Sequence, residues 1–175
     1  YSGTAAILAA ALDGTVTDGD GNVLSGAMTI TGDNPTPVQL QTINNSTTGN
    51  VVIPDKTVAL TGTPTVLSQA LNGTVTDSSN AKITGTVTIT DSNPNAIQLN
   101  SINTAVDGSI VVPNKTVTLS GTAAVLAGAL AGTVVDGSGD SITGTTTITG
   151  DNPTASQLKT INDAVAGTVV VPAKT

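Results

Sequence analysis

The side chains best placed by type and spacing to bind something are acids. Asp18, Asp20 and Asn22 alternate with Gly19 and Gly21, and oxygen ligands at alternate positions open a calcium-binding loop. A related stretch, Asp136-Gly137-Ser138-Gly139-Asp140, lies further on, and Asp77-Ser78-Ser79-Asn80 is a thinner version. The match then stops: the sixth position is Val23 rather than Gly, and the chain has no Glu to close the loop. The favoured reading is a hairpin loop built from turn-forming Gly and Asp. The sharper alternative is a weak calcium site at Asp18, Asp20, Asn22, Asp136 and Asp140, and no other cofactor is implied.

Other candidates are thinner. Lys56, Lys115 and Lys174 each follow a Pro-containing turn and read as solvated strand-edge residues rather than nucleophiles. Thr-x-Thr pairs such as Thr29/Thr31, Thr86/Thr88 and Thr147/Thr149 resemble the ranked threonines of ice-binding solenoids, but Thr is simply a good solvent-facing strand residue. Sequons at Asn44, Asn45, Asn72 and Asn114 are expected by chance in a chain this rich in Asn and Thr.

Composition narrows the field. The chain has 175 residues with 12 acidic and 5 basic side chains, all Asp and Lys, for a net charge of −7. That sign disfavours nucleic acid and anionic membranes, which need clustered cations. There is no His, Cys, Trp, Phe, Arg or Glu, so imidazole bases and thiolate metal sites are missing, and aromatic stacking has only Tyr1 to draw on. General acid–base work would rest on isolated Asp and Lys, so an enzyme is not expected. No apolar run is long enough to span a bilayer, so membrane insertion is not expected either. The chain opens on Tyr1 with neither Met nor a signal segment, which points to a processed chain or a fragment.

Self-similarity organises the sequence. Asn34-Pro35, Asn93-Pro94 and Asn152-Pro153 recur every 59 residues, as do Gly14, Gly73 and Gly132, and no gap is needed anywhere. The units are residues 1–56, 57–115 and 116–175, the last carrying the start of a next strand. Within the second copy the spacing predicts a strand at 57–61, a helix at 63–71 and a strand at 73–76. A period-two strand at 86–90 follows, then a longer helix opened by Asn93 and Pro94 and stopped by Gly108, and a strand at 109–112. The order is β-α-β-β-α-β. The expected architecture is an α+β tandem-repeat array, stacked as an elongated solenoid-like rod with mixed sheets and short helices. A unit this small without Phe or Trp buries little apolar area, so stacking on neighbours is the expected remedy.

The stretch Gly121–Val134, followed by Asn152-Pro153-Thr154 and Leu158-Lys159-Thr160-Ile161-Asn162, resembles the degenerate repeats of very large secreted bacterial surface proteins of the cyanobacterial type. That resemblance implies an extracellular or cell-surface adhesive or sheath-like role with no catalytic residues to carry over.

The expected function is therefore a structural protein that partners itself, forming a filament, sheath or surface layer. The arithmetic of the ends suggests where: Tyr1, Ser2 and Gly3 read as the tail of one strand, and Pro172, Ala173, Lys174 and Thr175 as the beginning of another, so chains would join by strand completion. The alternatives are a stalk segment of a giant adhesin, or a calcium- or ice-binding repeat module.

Overall fold

The structure, a computed structural model, describes residues 1–173. The first copy forms β1 (Ser2–Thr4), α1 (Ala5–Ala11), β2 (Met28–Thr31), α2 (Pro37–Asn45) and β3 (Val51–Ile53). The second forms β4 (Leu60–Gly62), α3 (Pro64–Ala70), β5 (Val75–Asp77), β6 (Val87–Ile89), α4 (Ala96–Ala105) and β7 (Ile110–Val112). The third repeats that order with β8 (Leu119–Thr122), α5 (Ala123–Ala129), β9 (Val134–Asp136), β10 (Thr146–Thr149), α6 (Ala155–Ala164) and β11 (Val169–Val170). The β-α-β-β-α-β order holds in copies two and three. In the first copy the counterpart of β5, residues 16–18, forms a single antiparallel bridge from Thr17 to Val23 and no ladder strand.

Each helix begins where a side chain can satisfy its free amides. Thr4, Thr63 and Thr122 cap α1, α3 and α5, each hydroxyl accepting from the amide three residues on. The longer helices carry capping boxes: Thr36 with Gln39, Asn95 with Gln98, and Thr154 with Gln157. The expected start at Asn93-Pro94 is thus two residues early. The reciprocal bond to a Gln at the third helical position satisfies two amides at once and decides the boundary. Gly108 likewise does not stop α4, which ends at Ala105.

The strands form three small sheets, ordered β1-β2-β3-β5, β4-β6-β7-β9 and β8-β10-β11. Every ladder in them is parallel. The fold is therefore α/β, and the expectation of an α+β array with mixed sheets is corrected. Both helical crossovers of a unit return the chain in its original direction, and the Pro54 and Pro113 turns lead into a new sheet instead of a hairpin.

Side chains alternate across these short strands, burying Met28 and Ile30, Val51 and Ile53, Val87 and Ile89, Ile110 and Val112. Leu40, Leu67, Leu99, Leu126 and Ile161 meet them from the helices, and one apolar cluster runs through all three copies. The helices form a single file, and α2 against α3 and α4 against α5, pairs that straddle a copy boundary, are the most extensive helix contacts. Aliphatic side chains supply that core throughout, so each copy's interior is closed partly by its neighbour.

Candidate functional site: the junction between copies

The junction is built from a strand, a helix end and an asparagine. The chain leaves β3, starts the next sheet with β4, runs through α3 and comes back as β5 beside β3. Val51 pairs with Val75, Val52 with Thr76 and Ile53 with Asp77. The next junction repeats this: Ile110 pairs with Val134, Val111 with Val135 and Val112 with Asp136. The amides of Val51 and Ile110 donate to the carbonyls of Thr74 and Thr133, at 2.9 and 2.8 Å. Each four-stranded sheet is thus three strands of one copy finished by a strand of the copy that follows.

On the helical side, α2 and α4 each turn one asparagine toward the next copy. Asn103 donates to the carbonyl of Gly128 in α5 at 2.7 Å. Asn44 donates to the carbonyl of Gln69 at 3.1 Å and also to that of Asn72. Both side chains are buried, 6% exposed for Asn44 and 7% for Asn103. The carbonyls they meet lie in or just past the last turn of a helix, where the local amide bonds are long, 3.3 Å from Asn72 to Gln69 and 3.5 Å from Ala131 to Gly128. A recurring glycine leaves room for each asparagine: a Cβ on Gly132 would lie 2.5 Å from the Asn103 side-chain oxygen, and one on Gly73 would lie 3.3 Å from that of Asn44. Sequence reasoning missed these asparagines. Their signal was a polar residue recurring at the 59-residue period beside Ile43 and Ile102, on an otherwise apolar helix face.

A second close approach lies at the corner before each third strand. Gly26 and Gly49, Gly85 and Gly108, and Gly144 and Gly167 face one another across short parallel bridges. A Cβ on Gly108 would sit 2.2 Å from the Gly85 carbonyl oxygen. Backbone contact of that kind leaves no room for a side chain.

The expected calcium ligands are engaged with their own loops. Asp18 accepts from the amides of Asn22 and Asp20 at 2.8 and 2.9 Å. Asp136 accepts from those of Asp140 and Ser138 at 2.9 and 2.8 Å. Asp77, where the acidic pattern is weakest, does the same with Ala81 and Ser79. The three carboxylates close identical hairpins, and those amides hold each one below the ordinary Asp range. Asn22 turns its side chain back to Asp18, and Asp140 pairs with Lys115 at 3.3 Å. Among the described residues no three or more His, Cys, Asp or Glu side chains converge as metal ligands.

The lysines after the Pro turns also reach these hairpins. Lys56 lies 4.0 Å from Asp77 and Lys115 3.3 Å from Asp140, all four at or near the surface, where such pairs contribute little. Asn44 is too buried to accept a glycan.

Near the N-terminal end the backbone nitrogen of Tyr1 donates to the Ala27 carbonyl, as that of Leu60 does to Thr86 one period on, and β1 pairs with Thr29–Thr31. That pairing repeats those of β4 with β6 and β8 with β10. Ser2 and Gly3 lie in that ladder. Residues 57–59, expected to begin the strand, instead belong to the turn that Asp55 closes on Thr57. Pro172 and Ala173 lie outside any strand, and Lys174 and Thr175 lie outside the described residues.

Beside each junction is a cleft, about 440 Å³ at the first and about 350 Å³ at the second. Asn, Thr and Gly line both. The Lys82–Asp107 pair in the second, 3.9 Å apart, is replaced in the first by Val23 and Thr48, so the shared lining offers hydrogen bonds and no titrating pair. No helix among the described residues is long and apolar enough to cross a membrane. Comparison with protein families, curated proteins and solved structures gave no match to this chain.

Proposed function

We propose that the protein is a non-catalytic structural repeat protein whose copies stack as an elongated solenoid-like rod and build an extracellular filament, sheath or surface layer. The observation that supports this reading is the shared sheet: β5 and β9 finish the sheets of the preceding copies, so the units cohere through backbone ladders as well as side chains. What recurs at 59 residues is the joint, made of Gly, Asn and small aliphatic side chains. A structural role calls for that kind of recurrence, since every unit must present the same two ends. The net negative charge of −7, with acids spread over the hairpins, disfavours nucleic acid as a partner.

Immunogold labelling of intact cells that make the protein tests the reading. A continuous coat or filaments at the outer surface is the expected image. Label confined to the cell interior overturns it.

A further inference from the structure

We infer that Asn72 is a site of spontaneous deamidation, and that its isoaspartyl product loosens the joint between the first and second copies. The site lies in the joint itself, beyond the structural role proposed above and independent of it.

Asn72-Gly73 is the one Asn-Gly pair in the chain; every other asparagine precedes a residue that carries a side chain. Deamidation begins when the backbone nitrogen of the following residue reaches the side-chain carbonyl carbon of the asparagine. A Cβ on that following residue hinders the approach, and glycine has none. The surroundings leave the pair open. Asn72 and Gly73 are both exposed, just past the end of α3, and Asn72 borders two clefts. The Gly73 amide, on a backbone with φ of 121°, donates to no backbone carbonyl among the described residues.

The step balances with water as the only co-reactant. The Gly73 nitrogen bonds to the side-chain carbonyl carbon of Asn72, the bond from that carbon to the amide nitrogen breaks, and ammonia leaves with the proton that Gly73 gives up. The product is a cyclic succinimide. Water then opens the ring at one of its two carbonyls. One opening leaves an ordinary aspartate at position 72. The other routes the main chain through the former side chain, as an isoaspartate.

The isoaspartyl product strikes the joint. The Asn72 carbonyl accepts from the side chain of Asn44 in the preceding copy. In isoaspartate that carbonyl becomes a free carboxylate, and the main chain grows by one bond, about 1.5 Å. The lengthened segment runs straight into Thr74, whose carbonyl accepts from Val51, and then into β5. The pairing of Val75 with Val51 therefore has to give.

The repeat provides the controls. Asp13 stands at this place in the first copy and Ala131 in the third, so the fold accepts both side chains there. Incubation of the bacterially expressed chain in warm, mildly alkaline buffer, read by peptide mass spectrometry, tests the site. Asn72 should convert about tenfold faster than Asn45 or Asn100, each followed by Ser, a barrier difference of about 1.4 kcal/mol. The purified isoaspartyl form should melt about 2–4 °C below the parent, as the loss of one hydrogen bond would give. Fresh Asn72→Ala and Asn72→Asp should melt as the parent does, and Asn72→Ala should hold its melting temperature through the incubation.

Conversion at Asn72 no faster than at Asn45 and Asn100 overturns the inference. So does an isoaspartyl form that melts with the parent, or a fall in melting temperature that Asn72→Ala shares. Fresh Asn72→Asp melting as low as the isoaspartyl form would assign the effect to the added charge and sink the backbone account. None of these outcomes bears on the structural role.

Discussion

Asn103 reaches out of α4 to the backbone carbonyl of Gly128 in the next copy, 2.7 Å away, and it does so from a helix face otherwise lined by Leu99 and Ile102. A buried amide among aliphatic side chains is stable only when it is bonded. Its partner carbonyl, near the end of α5, also accepts from the amides of Leu130 and Ala131, so it is the asparagine that depends on the bond. That bond crosses a boundary between copies.

Replacing Asn103 by Ala should therefore destabilise the chain by about 0.5–1.5 kcal/mol, the net contribution of one hydrogen bond. The same change at exposed Asn162, in the monomer, should stay within about 0.5 kcal/mol. Urea unfolding of the two variants makes the comparison, and equal effects would mean that the bond to Gly128 contributes nothing.

Gly108 should tolerate no side chain. Alanine there pushes a methyl group to within 2.2 Å of the Gly85 carbonyl oxygen, and forcing that gap open should cost about 1–3 kcal/mol. Gly137, in an exposed loop with nothing within 4 Å of a built Cβ, is the control and should accept alanine with little change. Thermal melting of both variants reads the difference.

Thr146 is the counterpart of Met28 and Val87, and its buried hydroxyl has no hydrogen-bond partner. Thr146→Val keeps the shape and removes the orphaned group, so stability should rise by about 1 kcal/mol. An unchanged or lower midpoint in urea would contradict the account.

Acid should loosen the hairpins. Amide hydrogen bonds lower the carboxyl pKa of Asp18, Asp77 and Asp136 in the folded chain. Groups of this kind add stability at pH values above the unfolded Asp range, near about 4, and that stability is lost as pH falls through the folded values. Asparagine at all three positions keeps the accepting oxygen but cannot titrate. The triple variant should show a shallower fall in melting temperature from pH 5 to pH 2, and an unaltered slope would place the acid sensitivity elsewhere.

Element order was legible in the sequence for local reasons. Thr63-Pro64 and Gly73 bracket α3, and the alternation Val87-Thr88-Ile89 marks a strand with one buried side. Pairing was not legible. Strands of two to four residues reveal which face is inward but not which strand lies alongside, and β5 finds β3 rather than β4, the strand it is joined to through α3. Asn93-Pro94 misled because Pro suits a helix start, while the Gln at the third helical position, as in Asn95 with Gln98, sets the boundary two residues on. The acids were half legible: a Gly and Asp hairpin was the favoured reading of Asp18 and Asp136, but the loop amides that bond their oxygens are placed only in three dimensions. Asn44 and Asn103 were overlooked because a polar residue on an apolar face is ordinarily discounted unless the residue it meets is known.

Because the strand that finishes each sheet arrives from the following copy, the array keeps its register only in whole steps. Removing or duplicating a block of 59 residues leaves every joint with the same kinds of element on its two sides. A block one residue longer or shorter would turn the inward side of a strand outward and spoil two sheets at once. A gene for such a chain could grow or shrink by recombination in whole steps, changing the span of the product while only a few side chains at the new joint adjust.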